Sequence, residues 1–284
     1  MWTKGRTANA AALKAAAAAI LVRDPNTAPT GITILEAEDA SSTIATDKVN
    51  ISLAILTGYI RLNDPEKALP VGRQIAEQHP ESVRAFQDYA FTLSALRRFQ
   101  EAEEVAQGRL QRIPGNIEAE RALAQIAVDH LDYSTGRSRL QKLVDEGKAE
   151  PQDLNGIAWH SLFTGKVESS DLEAVLKGAE LSDNTANILH TLGCVYAELG
   201  KTKEAREVLA QAMDKLNLDE PDDNYWYAFG RIAEQYGERD VALADYGRVT
   251  KPKRELEIPD SSYRLAQIRT AVLNAQGSSR PTQK

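Results

Sequence analysis

A single cysteine, Cys194, stands among 284 residues. No intramolecular disulfide framework can form, and no Cys-x-x-Cys pair offers a structural zinc site. No apolar stretch approaches the ~20 residues that a helix needs to span a bilayer. Basic charge is also short: 34 Lys and Arg face 41 Asp and Glu, a formal charge of −7, with an isoelectric point near 5.3. Nucleic-acid binding is driven by neutralising phosphates. The densest basic run, Lys251, Lys253 and Arg254, is broken by Pro252 and followed by acids. No nucleic-acid partner is expected, and the acidic surface serves solubility. Phosphate-loop chemistry is missing too, because Gly165-Lys166 has neither the preceding glycine nor the following hydroxyl. The acidic cluster Asp219, Glu220, Asp222 and Asp223 lacks the alternating ligands, central glycine and terminal glutamate of a calcium loop. It reads as a turn between repeats, with Asp223 near a helix N-terminus. Lys4 and Arg6 precede an alanine-rich run, as in a signal peptide. Lys14 interrupts that run, however, and Arg23-Asp24 follow Val22 where a small-x-small cleavage site belongs. A soluble, cytoplasmic protein is the expectation, with the periplasm as the alternative if the chain is a piece of an exported protein.

What is present is helical periodicity. Thr185 to Ala212 carries apolar or small residues at Leu189, Leu192, Gly193, Tyr196 and Leu199, then Gly200, then Ala205, Val208, Leu209 and Ala212. Each half has the i, i+3, i+4, i+7 spacing of an amphipathic helix. Gly200 stops the first helix, because glycine takes the left-handed conformation of a C-terminal cap without steric cost. Gly193 and Ala205 are small where two helices must approach. The result is a helix hairpin with apolar stripes on both arms, which cannot bury both alone.

The spacing recurs. Ala68 is followed by Pro80 and Ala102 by Pro114, each pair offset from the other by 34 (102 − 68 and 114 − 80). Another 34 residues reach Gly136. Ala205 and Ala242 lie 37 apart, placing a short insertion at Asn217 to Asp223. Between Gly136 and Ala205 the register reads as looser, with an irregular repeat around Leu154 to Asp183.

A hairpin of about 34 residues, with a small residue in each arm and a proline near its end, resembles the tetratricopeptide repeat (TPR). The units that carry the likeness are Asn187–Leu216, Val83–Asn116 and Asp223–Val249, where Trp226, Phe229, Gly230, Gly237, Ala242 and Tyr246 fit the pattern. It covers roughly Val49 to Arg254. The resemblance implies an all-α fold, a right-handed α-solenoid of about six TPR-like helix hairpins with helical caps. Residues 1–48 are expected to be an N-terminal helical cap or partial repeat, 49–256 the solenoid, 257–276 a C-terminal capping helix and 277–284 a disordered tail. Within the first segment, Ala8–Val22 and Ile32–Ala40 read as helices and Pro29–Gly31 as a turn. A start inside a repeat leads us to expect a piece of something longer. In Val49–Pro80, Pro70 is placed near the start of the second helix, where a missing N–H is tolerated. In the fourth unit the loop GKVESS reads as long and the helix DLEAVLKGAEL as short, capped by Ser170 or Asp171. The C-terminal stretch YWYAFGRIAEQYGERDVALADY with SSYRLAQIR also resembles the TPR tail of bacterial transglutaminase-like multidomain proteins. Their catalytic domain and its cysteine nucleophile are absent here, so no activity is implied.

His190 and Cys194 lie four apart on one helix face, the spacing of a metal half-site or a thiolate–imidazole pair. Neither a third ligand nor an orienting acid accompanies them, so a packing role is expected. His79, His130 and His160 are scattered and read as surface or packing residues. No enzyme activity, cofactor or metal is expected. The family resemblance implies a concave groove lined by the first helix of each unit. By register this selects Arg84, Gln87, Phe91, Arg121, Gln125, Asp129, Asn155, Trp159, Phe163, His190, Cys194, Asn224, Tyr227 and Arg231. Aromatic and arginine side chains supply most binding hot spots. Trp159 and Phe163 have a second reading, as filling for the irregular fourth unit. The Lys/Asn carboxylate clamp of some relatives is absent: Leu53 and Thr57 occupy its first places, and Glu118 stands where a base would be. The implied function is a non-catalytic scaffold that binds a protein or peptide segment in the groove. The rival readings are the regulatory or assembly tail of a larger transglutaminase-like enzyme, and a module that self-associates as a homo-oligomer.

Overall fold

The computed structural model of the chain describes residues 2–41, 45–254 and 257–278. Among the described residues every regular element is a helix. They form an all-α fold of stacked helix hairpins, divided into two compact units, Met1–Ala122 and Leu123–Lys284.

The first unit holds α1 (Trp2–Leu21), α2 (Ala28–Ser41), α3 (Ala45–Arg61), α4 (Pro65–Gln78), α5 (Val83–Ala95), α6 (Phe99–Arg112) and the start of α7 (Ile117–Asp129). From α1 to α6 each helix packs on the next, and α1 and α5 also touch α3. Two clusters of buried side chains lie among its described residues. One joins Ala18, Val22, Ile32, Leu35, Ile51 and Ile55; the other joins Leu53, Leu56, Ala68, Ile75 and Ala85.

Two local expectations change here. The turn before α2 is made at Asp24–Thr27, where Asp24 Oδ1 accepts from Asn26 N at 2.8 Å and Asp24 O from Ala28 N at 2.8 Å. Pro29 and Gly31, expected as the turn, lie inside the first turn of α2. Proline is tolerated there because its missing N–H would have no partner. Gly31 instead serves packing, since a Cβ on it would come within 2.8 Å of Val22 Cγ1. Pro70, in turn, is the sixth residue of α4, whose first residue is Pro65. That position forgoes a real intrahelical bond to the Glu66 carbonyl.

The second unit completes α7 and adds α8 (Tyr133–Asp145), α9 (Pro151–Ser161), a 3-10 turn (Leu162–Thr164), α10 (Ser169–Leu181), α11 (Ala186–Glu198), α12 (Thr202–Lys215), α13 (Asp223–Gln235), α14 (Arg239–Gly247) and α15 (Ser262–Ser278). One apolar core runs from Ala158 and Val175 through Ile188, Leu192, Val195 and Leu209 to Tyr227, Tyr246, Leu265 and Leu273. α11 packs on both α12 and α13, and α15 packs on α13 and α14. Of the expected tail 277–284, residues 279–284 lie outside the described residues.

The expected short helix of the fourth unit is of ordinary length: α10 has 13 residues, as α8 and α11 do. Its N-cap is Glu168, with Asp171 as the third helical residue, so the pair forms a capping box. Asp171 accepts from Glu168 N at 2.8 Å and from Arg137 on α8. Its carboxylate is fully buried and needs both partners. Likewise Asp222, one residue before Asp223, caps α13 by accepting from Asn224 N and Tyr225 N.

The repeat is clearest in the backbone. Within successive hairpins a left-handed residue closes the turn at Asn63, Arg97, Leu131, Gly165, Gly200 and Gly237. The spacings are 34, 34, 34, 35 and 37. At five of the six, the residue after it donates its N–H to a carbonyl five residues back: Asp64 to Tyr59, Arg98 to Leu93, Asp132 to Ala127, Lys201 to Tyr196 and Glu238 to Ala233, all at 2.8–3.0 Å. This is the Schellman closure of a helix. Register therefore holds through the fourth unit, where the sequence pattern alone reads as irregular.

Close helix approach depends on missing side chains. A Cβ on Gly193 would sit 2.6 Å from Leu209 Cγ, and one on Gly230 2.5 Å from the Tyr246 ring. Gly193→Ala should cost about 1–3 kcal/mol through overpacking, read as a lower denaturant midpoint at unchanged slope. Leu131 adopts φ 68° although it is 45% exposed and packs little. Leu131→Gly should raise stability by about 0.5–1 kcal/mol by relieving the left-handed penalty, net of glycine's chain entropy; a lowered melting midpoint would refute this.

Candidate functional site

In the first unit, side chains on α3, α5 and α7 form a row. Arg84 Nη2 donates to Thr57 Oγ1 at 2.8 Å, and Arg84 Nε lies 3.6 Å from Asp88 Oδ2. Gln87 Nε2 donates to Glu118 Oε2 at 2.7 Å, and Arg121 Nη1 donates to Glu118 Oε1 at 3.2 Å. Arg84, Gln87 and Arg121 thus come together. Phe91, one turn beyond Gln87, is 39% exposed. Glu118, where a carboxylate clamp would require a base, accepts from two neighbours, and Leu53 is buried.

In the second unit the expected residues separate into two sets. Trp159 lies 5.7 Å from His190, centre to centre, and His190 lies 4.9 Å from Tyr225. Phe163 meets Trp159 edge-on at 5.8 Å and stacks on Tyr133 at 4.5 Å. His190 Nε2 donates to the Asn224 carbonyl at 3.1 Å, which fixes its tautomer. Trp159, Phe163, His190 and the Asn224 backbone therefore form one aromatic row across α9, α11 and α13. Gln125 is exposed and bonds to Asp129 on its own helix at 2.9 Å, while Asn155 is half-buried with Oδ1 lacking a hydrogen-bond partner.

Tyr227 and Arg231 do not line an open face. Tyr227 is 1% exposed and stacks on Tyr246 at 6.1 Å, and burial pushes its hydroxyl well above the ordinary range. Arg231 is 7% exposed and ion-paired to Glu198 and Glu234. The reason is positional: α13 is covered by α11, α14 and α15 together, so faces left open on a mid-array helix are closed here.

Arg231 belongs to a chain of charges that crosses three helices. Glu198 of α11 pairs with Arg231, Arg231 with Glu234, and Glu234 with Arg269 of α15. Tyr246 also donates to Glu234 at 2.7 Å. Burial raises the Glu234 carboxyl, but the hydrogen bonds from Arg269 and Tyr246 and the charge of Arg231 outweigh it and hold it below the usual value. Glu198, Glu234 and Arg269 could not be selected from sequence, because nothing local marks a partner 35 residues away.

His190 and Cys194 face each other, Nε2 to Sγ, at 3.7 Å. Burial depresses the imidazole and raises the thiol. Both are held neutral, the opposite of the thiolate that nucleophilic or metal-binding cysteine requires. Among the described residues no three His, Cys, Asp or Glu side chains converge on a metal position, and no helix is long and apolar enough to cross a membrane.

Comparisons with known proteins agree with this architecture. Family models described as tetratricopeptide repeat match residues 59–126 and 186–214. No curated protein sequence matches the chain. A tetratricopeptide repeat protein from Parabacteroides merdae superposes with a TM-score of 0.60 at 13% identity, over 85% of this chain and 93% of its own. PilF of Pseudomonas aeruginosa gives 0.51 at 16% identity, over 78% and 97%. The Cut9–Hcn1 hetero-tetramer of the APC/C gives 0.56 at 10% identity, over 91% of this chain and 48% of the matched one. At these identities the likeness is one of fold. The resemblance to transglutaminase-like proteins finds no support among these matches.

The charge chain predicts a pH response. Because the Glu234 carboxyl is lowered in the folded state, its contribution is complete above about pH 4.5, its ordinary value. It is lost as pH falls through the lower folded value. Glu234→Gln should flatten the fall in chemical stability as pH drops below about 4.5; an unchanged pH profile would show that other carboxylates control it.

Proposed function

We propose that the chain, whose residues 59–126 and 186–214 match tetratricopeptide-repeat models, is a non-catalytic scaffold that grips a protein segment on the first-helix row of α3, α5 and α7. This fold is a general platform for protein–protein interaction, and function lies in side chains grafted onto it. The observation that carries the reading is Phe91, a large aromatic side chain 39% exposed on α5, on the helix that also presents Arg84 and Gln87. An aromatic anchor with arginine and amide neighbours is the composition of an interface hot spot. The row also carries both donors and acceptors, since Gln87 and Arg121 converge on Glu118. Such a surface can satisfy the backbone of an extended segment while Phe91 fixes its position.

Phe91→Ala with Arg84→Ala should abolish capture of a prey taken from native lysate by the parent. The melting midpoint should stay within the small range of surface substitutions. Equal capture by both proteins, with the variant folded, would remove this face from consideration.

A further inference from the structure

The aromatic row of the second unit is already in use. Between α14 and α15 the chain returns to α8 and α9 as a strap. There Tyr133 donates its hydroxyl hydrogen to the Pro259 carbonyl at 2.6 Å. Trp159 Nε1 donates to the next carbonyl, that of Asp260, at 3.3 Å. The two donors come from residues 126 and 101 positions away in sequence. Pro259 is buried, and Tyr133, whose hydroxyl holds its carbonyl, is backed by Phe163. The Asp260 carboxylate faces His160 Nε2 at 3.7 Å. Ser261 N donates to the Ile258 carbonyl at 3.3 Å, so Pro259 and Asp260 form a turn, and Ser261 then caps α15 by accepting from Arg264 N at 3.2 Å.

Two side-chain donors on successive carbonyls, a buried proline and a buried imidazole facing an acid are the parts of a peptide-reading site. Carbonyl contacts give affinity without regard to side chain, and the pocket selects the residue. Proline suits it, because its fixed φ lowers the entropy lost on docking. We propose that Tyr133, Trp159 and His160 form a recognition site for a proline–acidic turn, and that Pro259-Asp260 of the same chain, closed into such a turn by the Ser261 N–H bond to the Ile258 carbonyl at 3.3 Å, fills it as a displaceable internal ligand.

The internal ligand fits incompletely. Asp260 Oδ1 and His160 Nδ1 are both buried without a hydrogen-bond partner, and 3.7 Å is too long for the Asp260–His160 contact to be a hydrogen bond. A buried polar group left unmatched opposes binding. A segment that reaches His160 therefore has an advantage over the strap.

The test uses the full chain and a fluorescein-labelled hexapeptide, EIPDSS, copying positions 257–262. A Pro259→Gly, Asp260→Ala double variant removes the proline that presets the turn and the acid that faces His160. The strap then competes less well, and the peptide should bind at least tenfold more tightly than to the parent. Adding Tyr133→Phe should weaken that binding about fivefold, the worth of one net hydrogen bond. Equal affinity for parent and double variant, no binding to a variant that keeps its helical signal, or indifference to Tyr133→Phe would each overturn the proposal. If the double variant loses its helical signal, the peptide is titrated into the parent to millimolar concentration. A shift of the Trp159 indole N–H resonance, assigned with Trp159→Phe, then supports it, and a static resonance overturns it. Partner capture through Phe91 would survive such a failure, so the two readings fall separately.

Discussion

A helix hairpin with an apolar stripe on each arm leaves one stripe uncovered, and that shortage governs the second unit. Each hairpin buries its open face against the next, as α9 does against α11 and α11 against α13. The hairpin α13–α14 is followed by the single helix α15. α15 supplies the missing face, placing Leu265, Ala266 and Leu273 at 2%, 0% and 4% exposure in the same core as Tyr227 and Tyr246. At about 25 cal/mol per Å² of apolar surface, covering an open hairpin is a large term beside the 5–15 kcal/mol of a whole domain. The strap at residues 257–261 leads into that cover, touching Tyr133 of α8 and Trp159 of α9 before α15 packs on α13 and α14.

Apolar cover alone would let α15 slide along its groove. The charges Glu198, Arg231, Glu234 and Arg269 fix its position, since each buried group is matched only in one register. Buried ion pairs add little net stability, but removing one partner costs about 3–5 kcal/mol. The network is therefore better understood as a device for specificity than for strength. It also explains why Arg231, a groove residue by register, is an interior one in fact: the helix that covers the end of the array supplies Arg269, whose partner Glu234 is shared with Arg231.

Fold was legible in the sequence to the extent that local signals carried it. The 34-residue offset, Gly193, Gly200 and the small residues at Ala205 and Ala242 sufficed for the hairpins. Register was lost in the fourth unit because α10 starts four residues after its turn residue, Gly165, where the second helices of the other hairpins start two after theirs. The capping box at Glu168 was missed because glutamate is an uncommon N-cap. In the candidate site, Trp159 and His190 could be paired from helix register alone. Tyr133, Pro259 and Asp260 could not, because their contacts join segments more than 100 residues apart through a strap with no periodicity to read. Tyr227 was misplaced because the pattern of an internal repeat was carried onto a terminal one.

An internal ligand has a thermodynamic consequence that does not depend on which partner competes with it. A tethered segment acts at an effective concentration of about millimolar when its linker is short. A free peptide making only the same contacts must reach that concentration to displace half of the strap. Any partner acting at cellular levels must therefore make contacts the strap does not, and one is available at His160 Nε2, which the Asp260 carboxylate approaches only to 3.7 Å. Displacement also need not unseat α15, because Ser261 and Arg264 cap that helix locally and Arg269 holds it at Glu234. The strap can leave the aromatic row while the end of the array stays covered, which separates recognition at Trp159 from the stability of the fold.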